Sequence, residues 1–338
     1  MEWLKPDGQH ELVLDHRPAG QPEGFPDAFT RDHAGKLVFA YKDVVYRLDN
    51  GQPVRIAGGG AQAVGGNATE LALVNPRAVA PIADGGQYVA DDSGLFHILP
   101  DGSYTQFSKQ STSRLAVGKD GALYGLSDGV VAYGTDGAPR KISPLGAGLI
   151  FVPGTLVALA DGRLLVMAPE PNTLHALDPA TGAETTLATF TEGTICGVAQ
   201  SPKDGSIYVS AVQSTFGGVA SGAAALYRIP LGGAKELVRA DERFSDGLAG
   251  GLAVDAGGRV YFVARRSVNT PFTIDRYDPL GKTFTTIAGA NGRVFKGETA
   301  DLTLRWPLSL ALDARGDLLF ADMQARQIRR VPANLLAD

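Results

Sequence analysis

Seven times along the chain a small-apolar run stops at a Gly turn and resumes as a second apolar run rich in Leu, Val, Tyr and Phe. The turns stand in HAGKLVFA (33–40), DGGQYVA (84–90), KDGALYG (119–125), ADGRLLVM (160–167), KDGSIYVS (203–210), AGGRVYFV (256–263) and ARGDLLFA (314–321). Short Asp-Gly and Gly-Gly loops between apolar runs predict β-hairpins. A third strand follows in every unit (VVYRL, GLFHIL, GVVAYG, TLHAL, ALYRI, TIDRY, QIRRV). Six units continue through a second turn into a fourth strand (PVRIAG, YTQFS, PRKIS, ETTLAT, KELV, FTTIAG). A four-stranded meander with two apolar faces cannot stand alone, and radial stacking buries both. The expected fold is therefore all-β: a seven-bladed β-propeller of four-stranded antiparallel meanders, one domain over residues 1–338. A six-bladed ring is the alternative, if the third or fourth unit merges with a neighbour.

The seventh unit ends in QIRRVPANLLAD without a fourth strand. Residues 6–15, PDGQHELVLD, carry the same turn-plus-strand pattern as PDGSYTQFS at 100–108. An N-terminal strand at about 9–16 is expected to complete the last blade and latch the ring, which removes the open edges.

Composition narrows the function classes. The 338 residues are 44% hydrophobic and 20% charged, with a net charge of −5 and no Lys/Arg run. A basic surface that tracks phosphates is not expected, so nucleic acid is not a partner. Cys196 is the single cysteine, which leaves no disulfide framework and no Cys-based metal site. No apolar stretch reaches the length of a membrane span. The opening MEWLKPDGQH lacks the basic and apolar regions of a signal peptide. Both a cytoplasmic chain and a domain cut from a secreted or cell-surface protein fit that start, and a monomer is expected.

One long motif occurs twice. GGNATELALVNPRAVAPIADGGQYVAD at 65–91 returns near the C-terminus as KGETADLTLRWPLSLALDARGDLLFAD. With its Pro, its small-apolar inner strand, its Gly turn and its closing Ala-Asp, this stretch resembles the NHL repeat, as in bacterial and teneurin-like NHL propellers. Pro76 and Pro307 match the family Pro, Asp255 and Asp313 the inner-strand Asp, and Asp91 and Asp322 the second-strand Asp. The resemblance implies a propeller that serves as a binding platform. PEGFPDAFTRDHAGKLVFAYKDVVYRLDNG, beginning at Pro22, is also similar to the opening of gluconolactonase-like propellers. That second resemblance implies a calcium or other divalent ion over the channel, with Glu23 and Asp246 standing for two of its ligands. The family's Asn-Gly-Leu signature is missing from the inner strands.

Connection length points to one face. The turns between strands one and two and between three and four are short, whereas those between two and three and between blades vary widely. In a meander propeller the variable set emerges on one side, and loops carry function. Aligning the units on the Gly turn puts Asp27, Arg77 and Ser113 on one level at the channel mouth, and Ala78 and Arg114 on the next. Arg77 and Arg114 suit a carboxylate or phosphate in forked geometry. The alternative is an internal pairing of these arginines with Asp27 or Glu23. Phe216, Phe272, Phe295 and Trp306 fall in the long connections and are candidate binding anchors. The two long linkers border unit one, where a ligand is expected.

Other candidates are weaker. GLSDG at 125–129 fits a nucleophile elbow around Ser127, but Ser-Asp-Gly in a hairpin is turn chemistry. His97 and His175 fall at equivalent third-strand places, which reads as a structural slot. The leading expectation is a non-catalytic platform for a protein or peptide with no cofactor. The alternative is a metal-dependent small-molecule hydrolase or lyase.

Overall fold

The computed structural model describes residues 2–4, 10–12, 26–61, 66–146, 156–168, 172–191, 194–212, 224–241, 251–265, 272–289, 304, 307–322 and 327–336. Their strands form seven antiparallel meander sheets in a ring. The inner strands are Pro26–Arg31, Ala78–Pro81, Arg114–Val117, Leu156–Ala158, Thr194–Gln200, Leu252–Val254 and Pro307–Leu312. The inner strand of blade 7 lies against that of blade 1, which closes the circle. The third and fourth units form separate sheets, so the ring has seven blades, not six.

Local chemistry explains the hairpins. Asp84, Asp120, Asp161 and Asp204 each accept a hydrogen bond from the backbone N–H two residues ahead, at 2.7–3.1 Å. The Gly between adopts φ of +72° to +92°, a region that favours residues without a Cβ. Register shifts recur between the third and fourth strands of all six of the first blades. Such bulges increase local twist, and here they sit toward the rim, where the blades splay apart.

Alternation along each second strand sends side chains to both neighbouring blades. In Leu37–Tyr41 all five residues are buried: Val38 and Ala40 face blade 2, while Leu37, Phe39 and Tyr41 face blade 7. Among the described residues the core accordingly falls into seven apolar clusters, one per seam between blades. Burying a side chain such as Phe39 contributes about 1.5–3 kcal/mol, so every seam holds a share of the stability.

The chain's start latches blade 7, with a different strand in the fourth place. Glu2–Leu4 pairs in parallel with Gln327–Val331, and His10–Leu12 pairs antiparallel outside it. The expected strand at 9–16 thus lies one position further out. The reason is visible in the sequence: EWL and HEL flank the turn-like KPDGQ, so the Pro-Asp-Gly separates two strands instead of introducing one.

The repeated motif also holds blades together. Asn67 caps a 3-10 turn, Ala68–Glu70, whose Ala68 N–H donates to the Gly102 carbonyl on the short-turn side of blade 2. Ala68, Leu71 and Leu73 are buried in the seam between blades 1 and 2. Leu304, the counterpart of Leu73, is buried in the seam between blades 6 and 7. Gly58 precedes Leu73 by the same fifteen residues as Gly289 precedes Leu304, and both glycines have φ near +80°. A Cβ at either would strike a backbone carbonyl, Asp43 or Phe272, and press on that leucine. The described parts of both linkers thus tie neighbouring blades together.

Candidate functional site

Where the channel opens on the long-connection side, blades 2 and 3 assemble a polar mouth. Its foundation is Asp91 at the end of the second strand of blade 2, fully buried. One carboxylate oxygen accepts from the Ser93 N–H and hydroxyl and from the Gly94 N–H at 2.7–3.0 Å. The other accepts from the Val74 N–H at 2.8 Å, which ties the linker to the blade. The next carboxylate, Asp92, receives the Asn75 amide at 3.2 Å and Arg77 Nε at 2.6 Å. The hydrogen bond from Arg77 is the main reason the Asp92 carboxyl is held below its usual range. Arg77 stays one-third exposed, and its backbone N–H is fixed by the Ala90 carbonyl.

Blade 3 supplies the other wall. Arg114 Nη1 donates to the Ser113 carbonyl at 2.7 Å, and the Thr112 and Ser113 hydroxyls both donate to the Leu126 carbonyl. Ser111 donates to the Asp91 carbonyl, joining the two blades. Ser127 accepts from the Gln110 amide and faces Gly129 across a tight hairpin. No helix follows it, so the nucleophile-elbow geometry is not formed.

The expected level of Asp27 shifts by one residue. A bulge between Asp27 and Thr30 makes Asp27 pair with Ala40, and this is the level at which Ala78 pairs with Ala90 and Arg114 with Leu126. Asp27 therefore shares a level with Arg114, while Arg77 stands one residue nearer the mouth. Among the described residues the carboxylate that pairs with Arg77 is Asp92; Glu23 and the Asp27 side chain lie outside them. Nothing in the sequence singles out Asp92, because Asn75 and Arg77 come to it from 17 and 15 residues away.

Phe272 is not a surface anchor. It begins the third strand of blade 6, is buried and bridges to Leu304. Its segment, FTIDRYD, alternates as a strand with both faces covered. Phe216, Phe295, Trp306, Glu23 and Asp246 lie outside the described residues. His97 and His175 are not equivalent: His97 pairs with the second residue of its neighbouring strand (Tyr88) and His175 with the third (Val166). A one-residue offset turns them to opposite faces. Cys196 is buried in the seam between blades 5 and 6. Among the described residues, no group of three or more His, Cys, Asp or Glu is placed to hold a metal ion, and no helix is long and apolar enough to cross a membrane.

The opposite, short-turn face carries ion pairs instead. In blade 5, Arg228 reaches Asp204 at 2.9 Å. Burial alone would raise the Asp204 carboxyl, but hydrogen bonds from Ser201, Ser206 and Arg228 outweigh it and bring it to about 2 from 3.8. A carboxyl depressed in the folded state stabilises above its unfolded pKa and loses that contribution as pH falls through the folded one. Asp204→Asn should flatten the pH dependence of Tm between about 4 and 2. An unchanged acid slope would show that this pair contributes nothing there.

No family model matches the chain, and no curated protein does. Solved structures do. Hydrazine synthase from Kuenenia stuttgartiensis is similar over 94% of this chain and 98% of that chain, with a TM-score of 0.64 at 15% identity. Virginiamycin B lyase from Staphylococcus aureus follows over 90% and 93%, with a TM-score of 0.62 at 12% identity. The extracellular domain of the putative hybrid two-component system BT4673 from B. thetaiotaomicron is covered to 39%, with a TM-score of 0.60 at 12% identity. What they share with this chain is the propeller. At these identities the likeness concerns the fold alone, and function rests on the site.

Proposed function

We propose that the chain is a binding propeller of the NHL kind, which takes a carboxylate-bearing protein or peptide segment at the mouth between blades 2 and 3. The observation that carries this reading is Arg77, one-third exposed and, among the described residues, held through Nε by a surface aspartate that is itself tethered to the linker through Asn75. An exposed Arg–Asp pair contributes little to stability, about 0–1 kcal/mol, so an incoming carboxylate that forms a forked pair can replace Asp92 at small cost. The NHL assignment is supported by what its motif residues do here. Asp91 anchors the linker, and Asp255 and Asp313 accept the backbone N–H groups of their turns.

The test is anisotropy of a labelled hexaglutamate peptide at low salt. Binding should weaken at least tenfold in Arg77→Ala, roughly the 1.4 kcal/mol of one charge-assisted hydrogen bond, and tighten in Asp92→Asn. Equal affinities for wild type and Arg77→Ala would remove the mouth from consideration. The same sample tests the competing assignment, a hydrolase or lyase with a divalent ion held through Glu23 and Asp246. A Tm that rises with calcium and falls with EDTA, abolished in Glu23→Gln, would replace the binding reading with that one.

A further inference from the structure

The helical turn that follows the third strand of blade 7 makes three kinds of contact with blades 6 and 7. After Val331 the backbone forms the helical turn Ala333–Leu336 on the short-turn side, opposite the mouth. Its first N–H, that of Ala333, donates to Asp317 Oδ1 at 2.7 Å, and Asp317 is buried in blade 7 beside Arg315 and Arg330. The Leu336 side chain is 2% exposed and joins the apolar cluster between blades 6 and 7, which also contains Leu304. The Leu336 carbonyl accepts from two guanidinium groups, Arg276 Nη1 at 2.5 Å and Arg259 Nη1 at 3.4 Å. Both arginines belong to blade 6.

These arginines are set in place by blade 6 itself. Asp255 accepts Arg259 Nε at 2.7 Å and the Tyr261 hydroxyl at 3.2 Å, and Tyr261 pairs across the sheet with Arg276. Arg228, at the matching place in blade 5, pairs with an aspartate of its own blade. In blade 6 the residue at this place reaches instead for the Leu336 carbonyl. One element therefore receives three separate kinds of recognition. Its N-terminus is capped by a buried carboxylate, its leucine fills an apolar socket, and its last carbonyl takes two cationic donors, of which Arg276 is buried and Arg259 one-third exposed. Charge-assisted hydrogen bonds of this kind are about twice as strong as neutral ones, and a buried donor left without its acceptor is costly.

We infer that the short-turn side of the seam between blades 6 and 7 is a recognition slot for a leucine-tipped helical turn, and that its occupant is this chain's own C-terminal turn, docked as a strap. The strap holds blade 7 to blade 6, and it acts independently of the N-terminal strands, which pair with the outer edge of blade 7.

The full chain tests this. Leu336→Asp should undock the strap and lower Tm by about 3–6 °C, the range expected when a buried leucine is lost from a chain of this size. A synthetic peptide of sequence PANLLAD, added in excess, should then raise the Tm of Leu336→Asp by a few degrees through mass action, while leaving wild type unmoved. Arg276→Gln in the same chain should abolish that response. Should Leu336→Asp fail to fold, Leu336→Ala with the same peptide gives the same reading. A wild-type Tm in Leu336→Asp, or a lowered Tm in both leucine variants that the peptide does not restore, would overturn the slot.

Discussion

Leu71→Ala should destabilise the propeller by about 2–5 kcal/mol, the range for emptying a leucine-sized space in a packed core. Leu71 is fully buried between blades 1 and 2, and its carbonyl accepts the Gly60 N–H. The linker thus folds back on itself just where the side chain enters the core. No neighbouring side chain is positioned to refill the space easily, because Leu73 and Ala68 already occupy their own places in the same seam. Val74, in the same linker and half exposed, is the control, and Val74→Ala should stay within about 0.5 kcal/mol of wild type. Denaturant unfolding of both variants checks the pair. Equal, small effects would mean that the linker lies on the ring without holding it.

The second large effect is expected at Asp91. Alanine there strips an acceptor from three backbone N–H groups, those of Val74, Ser93 and Gly94, and from the Ser93 hydroxyl. Leaving such buried donors unpaired costs about 1–3 kcal/mol each, so a total loss of about 3–5 kcal/mol is expected once the local structure relaxes. Asp91→Asn keeps one carbonyl oxygen and should lose roughly half of that. The consequence reaches the mouth, since Val74 precedes Asn75, and Asn75 and Arg77 between them position Asp92. Hexaglutamate binding should therefore fall in Asp91→Asn even where the chain remains folded. Unaltered binding in a destabilised Asp91→Asn would separate the linker anchor from the mouth.

The ring was legible in the sequence because its punctuation is chemical. Each of the seven inner turns carries a Gly, four of them as Asp-Gly, and seven such hairpin signals in succession leave few other folds. The site was harder to read, for three physical reasons. Connection length was taken for exposure, yet Leu71, Leu73 and Leu304 already showed, by their spacing beside small residues, that the linkers bury a side. Phe272 was assigned to a loop because its neighbours vary, although FTIDRYD has the alternation of a covered strand. A bulge adds a residue without any turn signal, so the level of Asp27 was off by one. The same one-residue sensitivity separated His97 from His175. Asp92 stays hidden beside the motif residue Asp91 because its partners, Asn75 and Arg77, arrive from the far end of a linker.

The seam between blades 7 and 1 joins stretches from opposite ends of the sequence. Leu37, Phe39, Tyr41 and Leu48 of blade 1 pack there on Leu319 of blade 7, and the Ala314 N–H donates to the Gly35 carbonyl on its short-turn side. A Cβ at Gly35 would strike that of Ala314. Contacts so distant along the chain form only after a very long loop has closed. This joint should therefore be the last of the seven to form, and its amide protons the last in the ring to gain protection when the chain refolds.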